Sequence, residues 1–122
     1  MGPTISVAII DDDASLCRSL ARLLRLNGFE PCSFSSAEEF LSYSERSRFG
    51  CALVDVQLGG MSGIEMQRAM NAQGERLPMI FVTAHDEPAV RAEAAQGGCA
   101  GFCSKSDDSA RIMDSIRQVT KS

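Results

Sequence analysis

Residues 7–13 read Val7-Ala8-Ile9-Ile10-Asp11-Asp12-Asp13, an unbroken apolar run that ends in three acids. A run without polar alternation suits a strand covered on both faces, as in a parallel sheet flanked by helices. Starting from Ile5, this is the first of five short β-rich runs; the others are Glu30 to Phe34, Cys51 to Val54, Pro78 to Val82 and Ala100 to Cys103. Helix-period segments lie between them. After Ala14, the residues Leu16, Leu20, Leu23 and Leu24 define one face, Arg18, Arg22 and Arg25 define another, and Gly28 closes the helix. Ser36 with Glu39, and Ser62 with Glu65, have the spacing of capping boxes and start two more helices. Asp86-Glu87-Pro88 opens a fourth, which Gly97-Gly98 ends, and Ile112, Ile116 and Val119 mark the fifth.

Strands alternating with helices imply right-handed crossovers and a doubly wound (βα)5 α/β fold. Pro31 cannot donate a ladder hydrogen bond, so its strand belongs at an edge. The predicted order is 2-1-3-4-5, flavodoxin-like. With 122 residues and no linker or composition shift, residues 1–122 are expected to form one domain, Met1-Gly2-Pro3-Thr4 being patternless and outside the folded core.

A net charge of −4 argues against holding nucleic acid through phosphate neutralisation. No apolar run is long enough to cross a bilayer and no secretory signal is visible, so a cytoplasmic location without membrane attachment is expected. The five cysteines, Cys17, Cys32, Cys51, Cys99 and Cys103, lack a CxxC pair and His85 is the only histidine. They read as small apolar residues in a reducing compartment.

Ligands of open parallel sheets bind beyond the carboxyl ends of the strands, at the point where the winding reverses. There stand Asp11, Asp12 and Asp13 after strand one, Asp55 after strand three, Thr83 at strand four and Lys105 after strand five. Asp13 reads as a helix cap. The remaining clustered carboxylates repel one another and call for a cation or raised pKa values. Oxygen-only donors favour Mg2+. Beside it, Asp55 would be an oriented nucleophile, with Lys105 and the Thr83 hydroxyl serving the incoming phosphoryl oxygens.

From about Ser6 to Thr120 the chain resembles the receiver domain of two-component response regulators. The likeness is carried by Val7 to Asp13, by Ala52-Leu53-Val54-Asp55 followed by Gly60-Met61-Ser62-Gly63, by Phe81-Val82-Thr83-Ala84, and by Gly101-Phe102 ahead of Lys105. Asn27-Gly28-Phe29 adds to it, and Ser36-Ala37-Glu38-Glu39-Phe40-Leu41 is most like the nitrogen-fixation-type regulators. The resemblance implies that a sensor histidine kinase phosphorylates Asp55 and that a downstream output domain or protein reads the change. It implies Mg2+ held by Asp12 directly, Asp11 through water, one oxygen of Asp55, and the backbone carbonyl of Gln57. Thr83 and Phe102 would be the switch pair, re-shaping the face of helix four, strand five and helix five, through which a homodimer is also implied. Gln57 and His85 stand where receivers tune phosphate lifetime. Such a chain is a signalling switch with only self-phosphorylating and self-dephosphorylating chemistry.

Two positions depart from the family pattern. Ser106 follows Lys105 where proline is usual, so a trans Lys105–Ser106 bond is expected. Gly59 replaces another usual proline, which predicts a looser loop after Asp55. These departures motivate one rival reading, a degenerate receiver that binds proteins without phosphorylation. A Mg2+-dependent phosphohydrolase is the other, disfavoured because Gln57 stands where such enzymes carry an acid–base aspartate.

Overall fold

The structure, a computed structural model, describes residues 4–84 and 87–121. Its elements follow in the order β1 (Ser6–Ile10), α1 (Ala14–Leu26), β2 (Glu30–Phe34), α2 (Ala37–Ser42), a 3-10 turn (Arg46–Arg48), β3 (Phe49–Val54), α3 (Gly63–Ala72), β4 (Met79–Thr83), α4 (Pro88–Gln96), β5 (Gly101–Ser104) and α5 (Ser109–Thr120). All strand pairs are parallel, in the order β2-β1-β3-β4-β5. Pro31 lies on β2, the edge strand, opposite Val7.

Alternation along the strands feeds two cores, because successive side chains point to opposite faces. Val7, Ile9 and Leu53 pack with Leu20 and Leu24 of α1 and Ile112 and Ile116 of α5. Ala8, Ile10 and Val54 pack with Phe40 of α2, Met66 and Met70 of α3 and Ala94 of α4. The unbroken apolar character of β1 and β3 thus reflects burial on both sides of the sheet. Arg18, Arg22 and Arg25 are exposed on the far side of α1.

Helix starts follow the sequence signals unevenly. Ser62 and Glu65 form a reciprocal capping box, whereas Ser36 caps the Glu39 amide but the Glu39 carboxylate accepts from the Ser35 amide instead. Strand β3 begins two residues before the run read from the sequence, at Phe49. Gly50 interrupted the apolar pattern for a steric reason: a side chain there would approach the Ile5 side chain to 2.6 Å. No described helix is long and apolar enough to cross a membrane.

Helix α4 is attached differently from the rest. Only Ala94 of this helix is buried, and its ties to α3 are polar. The Gln67 amide donates to the Ala94 carbonyl at 3.0 Å, Asn71 donates to the Gly97 carbonyl at 2.9 Å, and Arg68 pairs with Glu93. Gly97 leaves room for the buried Gln67 amide, whose Oε1 lacks a hydrogen-bond partner.

Candidate functional site

Backbone hydrogen bonds carry the sheet one residue past its strand ends and so fix the residues that follow. The Asp11 amide donates to the Phe34 carbonyl at 3.1 Å, the Asp55 amide to Ile10 at 3.0 Å, and the Lys105 amide to Thr83 at 2.9 Å. Three chemistry-bearing side chains are thereby aimed from β1, β3 and β5 at one place. Lys105 Nζ lies 2.9 Å from Asp55 Oδ2 and 3.1 Å from Asp11 Oδ2. Carboxylate oxygens of Asp11, Asp12 and Asp55 all lie within 4.8 Å of one another. Asp11 and Asp55 are buried while Asp12 is exposed, so the cluster opens to solvent on the Asp12 side.

Each acid has an assigned donor. Asp11 Oδ1 accepts from the Asp13 amide at 2.9 Å, Asp55 Oδ1 from the Gln57 amide at 3.1 Å, and Asp12 Oδ2 from the Gly59 amide at 3.3 Å. Asp13 itself caps α1 through the Ser15 and Leu16 amides. Burial raises the Asp11 carboxyl above its ordinary range, and the Asp55 charge adds to this against the opposing pull of the Asp13 amide and Lys105. For Lys105, burial works downward, but hydrogen bonds to Asp55 and Asp11 outweigh it and hold the ammonium above its usual value. The lysine thus acts as an internal counter-ion.

The donor set suits a hard divalent ion: three carboxylates, oxygen atoms only, one of them open to water. Asp11, Asp12, Asp55 and Lys105 are brought together as the strand ends suggested. Thr83 is fully buried at the end of β4, in register with Ser104, and joined to Lys105 through its carbonyl. Gln57 meets the site through its amide on Asp55, its side chain being exposed. Phe102 stands apart from the acids, half-buried on β5, with the Phe81 ring at 6.1 Å and the Arg91 guanidinium 4.7 Å above its own. His85 lies outside the described residues.

The two departures from proline have structural substitutes. No cis peptide bond occurs among the described residues, so Lys105–Ser106 is trans. The turn there is held by side chains: Ser104 Oγ and Ser106 Oγ are 2.8 Å apart, and Asp107 Oδ2 accepts from the Ser104 amide at 2.8 Å. In the loop after Asp55, the Gly63 amide closes onto the Val56 carbonyl at 2.9 Å, and the Met61 amide donates to Glu38 Oε2 at 2.9 Å. The loop is therefore fastened at two points. That amide also holds the Glu38 carboxyl below its usual range. Two glycines that the sequence singled out have roles that no local pattern showed. Gly63 is needed because a side chain there would collide with the Asp55 carbonyl, and the Gly59 amide reaches Asp12 from 47 positions away.

Comparison with known proteins agrees with this geometry. The family model described as the response regulator receiver domain matches residues 7–117. The response regulator protein TodT of Pseudomonas putida is 33% identical over 115 residues, covering 94% of this chain and 51% of that protein. The transcriptional regulatory protein FixJ of Azorhizobium caulinodans is 34% identical over 117 residues, covering 96% and 56%. The chain thus spans about half the length of these curated relatives. Among solved structures, FixJ-N superposes with a TM-score of 0.89 at 29% identity, covering 98% of this chain and 96% of that one. The response regulator StyR gives 0.88 at 36% identity, covering 98% and 60%. With a match running from β1 into α5, the same strand order, and acids and lysine meeting at the strand ends, the chain belongs to the response regulator receiver domain family.

Proposed function

We propose that this chain is a phosphoacceptor switch, one domain over residues 1–122, in which Asp55 takes a phosphoryl group from the phosphohistidine of a sensor histidine kinase in a bacterial two-component system. The observation that carries the reading is the contact of Lys105 with both Asp55 and Asp11 inside an oxygen-only acidic cluster. An oxygen of Asp55 forms the new P–O bond as the P–N bond to histidine breaks, and the histidine nitrogen keeps the electron pair. The Gln57 amide and Lys105 hold the Asp55 carboxylate before transfer. Lys105 then pairs with the phosphoryl oxygens, and the Thr83 hydroxyl donates to them.

Asp11, Asp12 and Asp55 would hold Mg2+, with the Gln57 carbonyl as a further ligand. When bound, the ion neutralises charge building on the transferred group. Transfer exchanges the Asp55 carboxylate for a group carrying more charge and more acceptor oxygens, which draws Thr83 and Lys105 toward it. Phe102 then turns from beneath Arg91 into the space beside Thr83, and the surface of α4, β5 and α5 changes for a downstream output or a second copy of the chain. Gln57 and His85 would modulate access of the hydrolytic water. The domain works in the cytoplasm, where kinase and output meet, and does no turnover chemistry beyond self-phosphorylation and self-dephosphorylation.

Intact-mass measurement after incubation with acetyl phosphate and Mg2+ tests this. The expected result is the added mass of one phosphoryl group, absent with chelator and absent in Asp55→Asn. An unchanged wild-type mass would leave a phosphorylation-independent binding module as the better reading.

A further inference from the structure

The loop between β3 and α3 presents three backbone amides outward, and each ends on a carboxylate: Gln57 on Asp55, Gly59 on Asp12 and Met61 on Glu38. The first two acceptors belong to the acidic cluster, so those amides orient carboxylates that a cation would use. Glu38 is different. It projects from α2 and takes no part in the cluster. The loop needs such a hold, because Gly59-Gly60 supplies two adjacent residues of high backbone freedom. Gly60 beside it holds φ +80, a backbone conformation that favours glycine, and a side chain there would meet the Glu38 carboxylate.

We infer that Glu38 is a positioning residue for the cation site, its carboxylate anchoring the loop through the Met61 amide so that the Gln57 and Gly59 backbone stays against Asp55 and Asp12. Glu38 thereby does from another helix what a proline in the loop would do from within. The inference rests on the cation-dependent reading of the cluster proposed above. It assigns Glu38 no contact with the ion or the phosphoryl group.

The test is Mg2+ titration by calorimetry into the metal-free full chain of wild type, Glu38→Ala and Glu38→Gln, with amide exchange at Gly59 and Met61 followed by NMR in chelator. Glu38→Ala should weaken Mg2+ about 10-fold, the low end for partners that orient ligands, speed exchange at both amides, and leave the melting temperature unchanged, since Glu38 is exposed. Glu38→Gln keeps an acceptor oxygen for the Met61 amide and should bind Mg2+ close to wild type. Equal weakening in both variants would mean that only the negative charge matters, and would overturn the inference. So would unchanged Mg2+ affinity in Glu38→Ala once the Met61 amide has lost protection. A wild type that takes up no Mg2+ would bring down the proposed function and this inference with it, an outcome distinct from the other two.

Discussion

Replacing Asp11 by asparagine should stabilise the metal-free protein while removing its response to Mg2+. The Asp11 side chain is only 4% exposed and its Oδ2 is 3.1 Å from Lys105 Nζ. At an effective dielectric of 20 that contact is worth about 5 kcal/mol of attraction. Two like charges oppose it. Oxygens of Asp12 and Asp55 lie within 4.8 Å, each contributing about 3.5 kcal/mol of repulsion at the same dielectric. Screening at the exposed Asp12 reduces its share, burial of Asp11 adds a penalty of its own, and the ionised carboxylate is left disfavoured by roughly 1–2 kcal/mol. Asparagine keeps an oxygen for the Asp13 amide, and Lys105 keeps Asp55. For a domain of this size the gain corresponds to a rise in melting temperature of about 4–8 °C.

The pH dependence has a definite sign. Burial, then the Asp55 charge, raises the folded-state pKa of Asp11. The cost of its ionised form is therefore complete above that pKa and fades as pH falls through it. The advantage of the variant should be greatest at neutral pH and shrink on acidification. Thermal unfolding followed by circular dichroism, with chelator or with Mg2+ at a tenfold excess over its Kd, reads both effects. Wild type should gain about 1.4 kcal/mol from the ion, and Asp11→Asn little. A variant that melts lower than wild type in chelator, or that gains as much from Mg2+, would refute the reasoning.

Two further outcomes follow from local geometry. Gly63→Ala should destabilise by about 2 kcal/mol and slow phosphoryl uptake, because its side chain meets the Asp55 carbonyl, although alanine is the better helix former at that position; urea denaturation and the intact-mass assay read these, and a more stable variant would contradict the close-approach argument. In native protein a maleimide should label half-buried Cys32 well before Cys51, whose thiol burial pushes up to about 12. Peptide mapping that found Cys51 modified at the same rate would show a core more open than described.

The strand ends were legible because the signals that build them are local. Val7 to Ile10 announce burial on two faces, Asp11, Asp12 and Asp55 follow strands directly, and the parallel topology then has to gather them with Lys105. The loop after Asp55 was legible only in part. Its sequence, Gly59-Gly60, states backbone freedom, whereas its order comes from Glu38 and Asp12, which are 23 and 47 positions from the amides that they accept. The turn after Lys105 was legible in its trans bond but not in its restraint: the hold expected of a proline is supplied by Ser104, Ser106 and Asp107 side chains, residue types that the sequence shows equally in unrestrained loops. Fold follows from periodicity, which a single segment contains; loop order follows from pairings, which it does not.

The unequal attachment of the helices decides which of them can answer a charge placed on Asp55. α1 buries Cys17, Leu20, Ala21 and Leu24, and α5 buries Ile112, Met113 and Ile116. Lifting such a face exposes leucine, isoleucine or methionine side chains worth about 1.5–3 kcal/mol each. α4 buries one alanine, packs Val90 part-buried against the core, and is further fastened to α3 by hydrogen bonds of about 1 kcal/mol each. The Arg91 guanidinium of the same helix covers Phe102, a contact of about 0.5–1 kcal/mol where it is exposed. Gln67 leans in the same direction, since its orphaned Oε1 leaves the α3–α4 seam short of one hydrogen bond in the arrangement seen. In the proposed switch, pulling Thr83 and Lys105 toward a phosphoryl group would disturb β4 and β5, and of the helices packed on them α4 would resist least. The weakest apolar attachment thus falls on one face by composition, a helix that seats Ala94 and Val90 beside helices held through leucine and isoleucine.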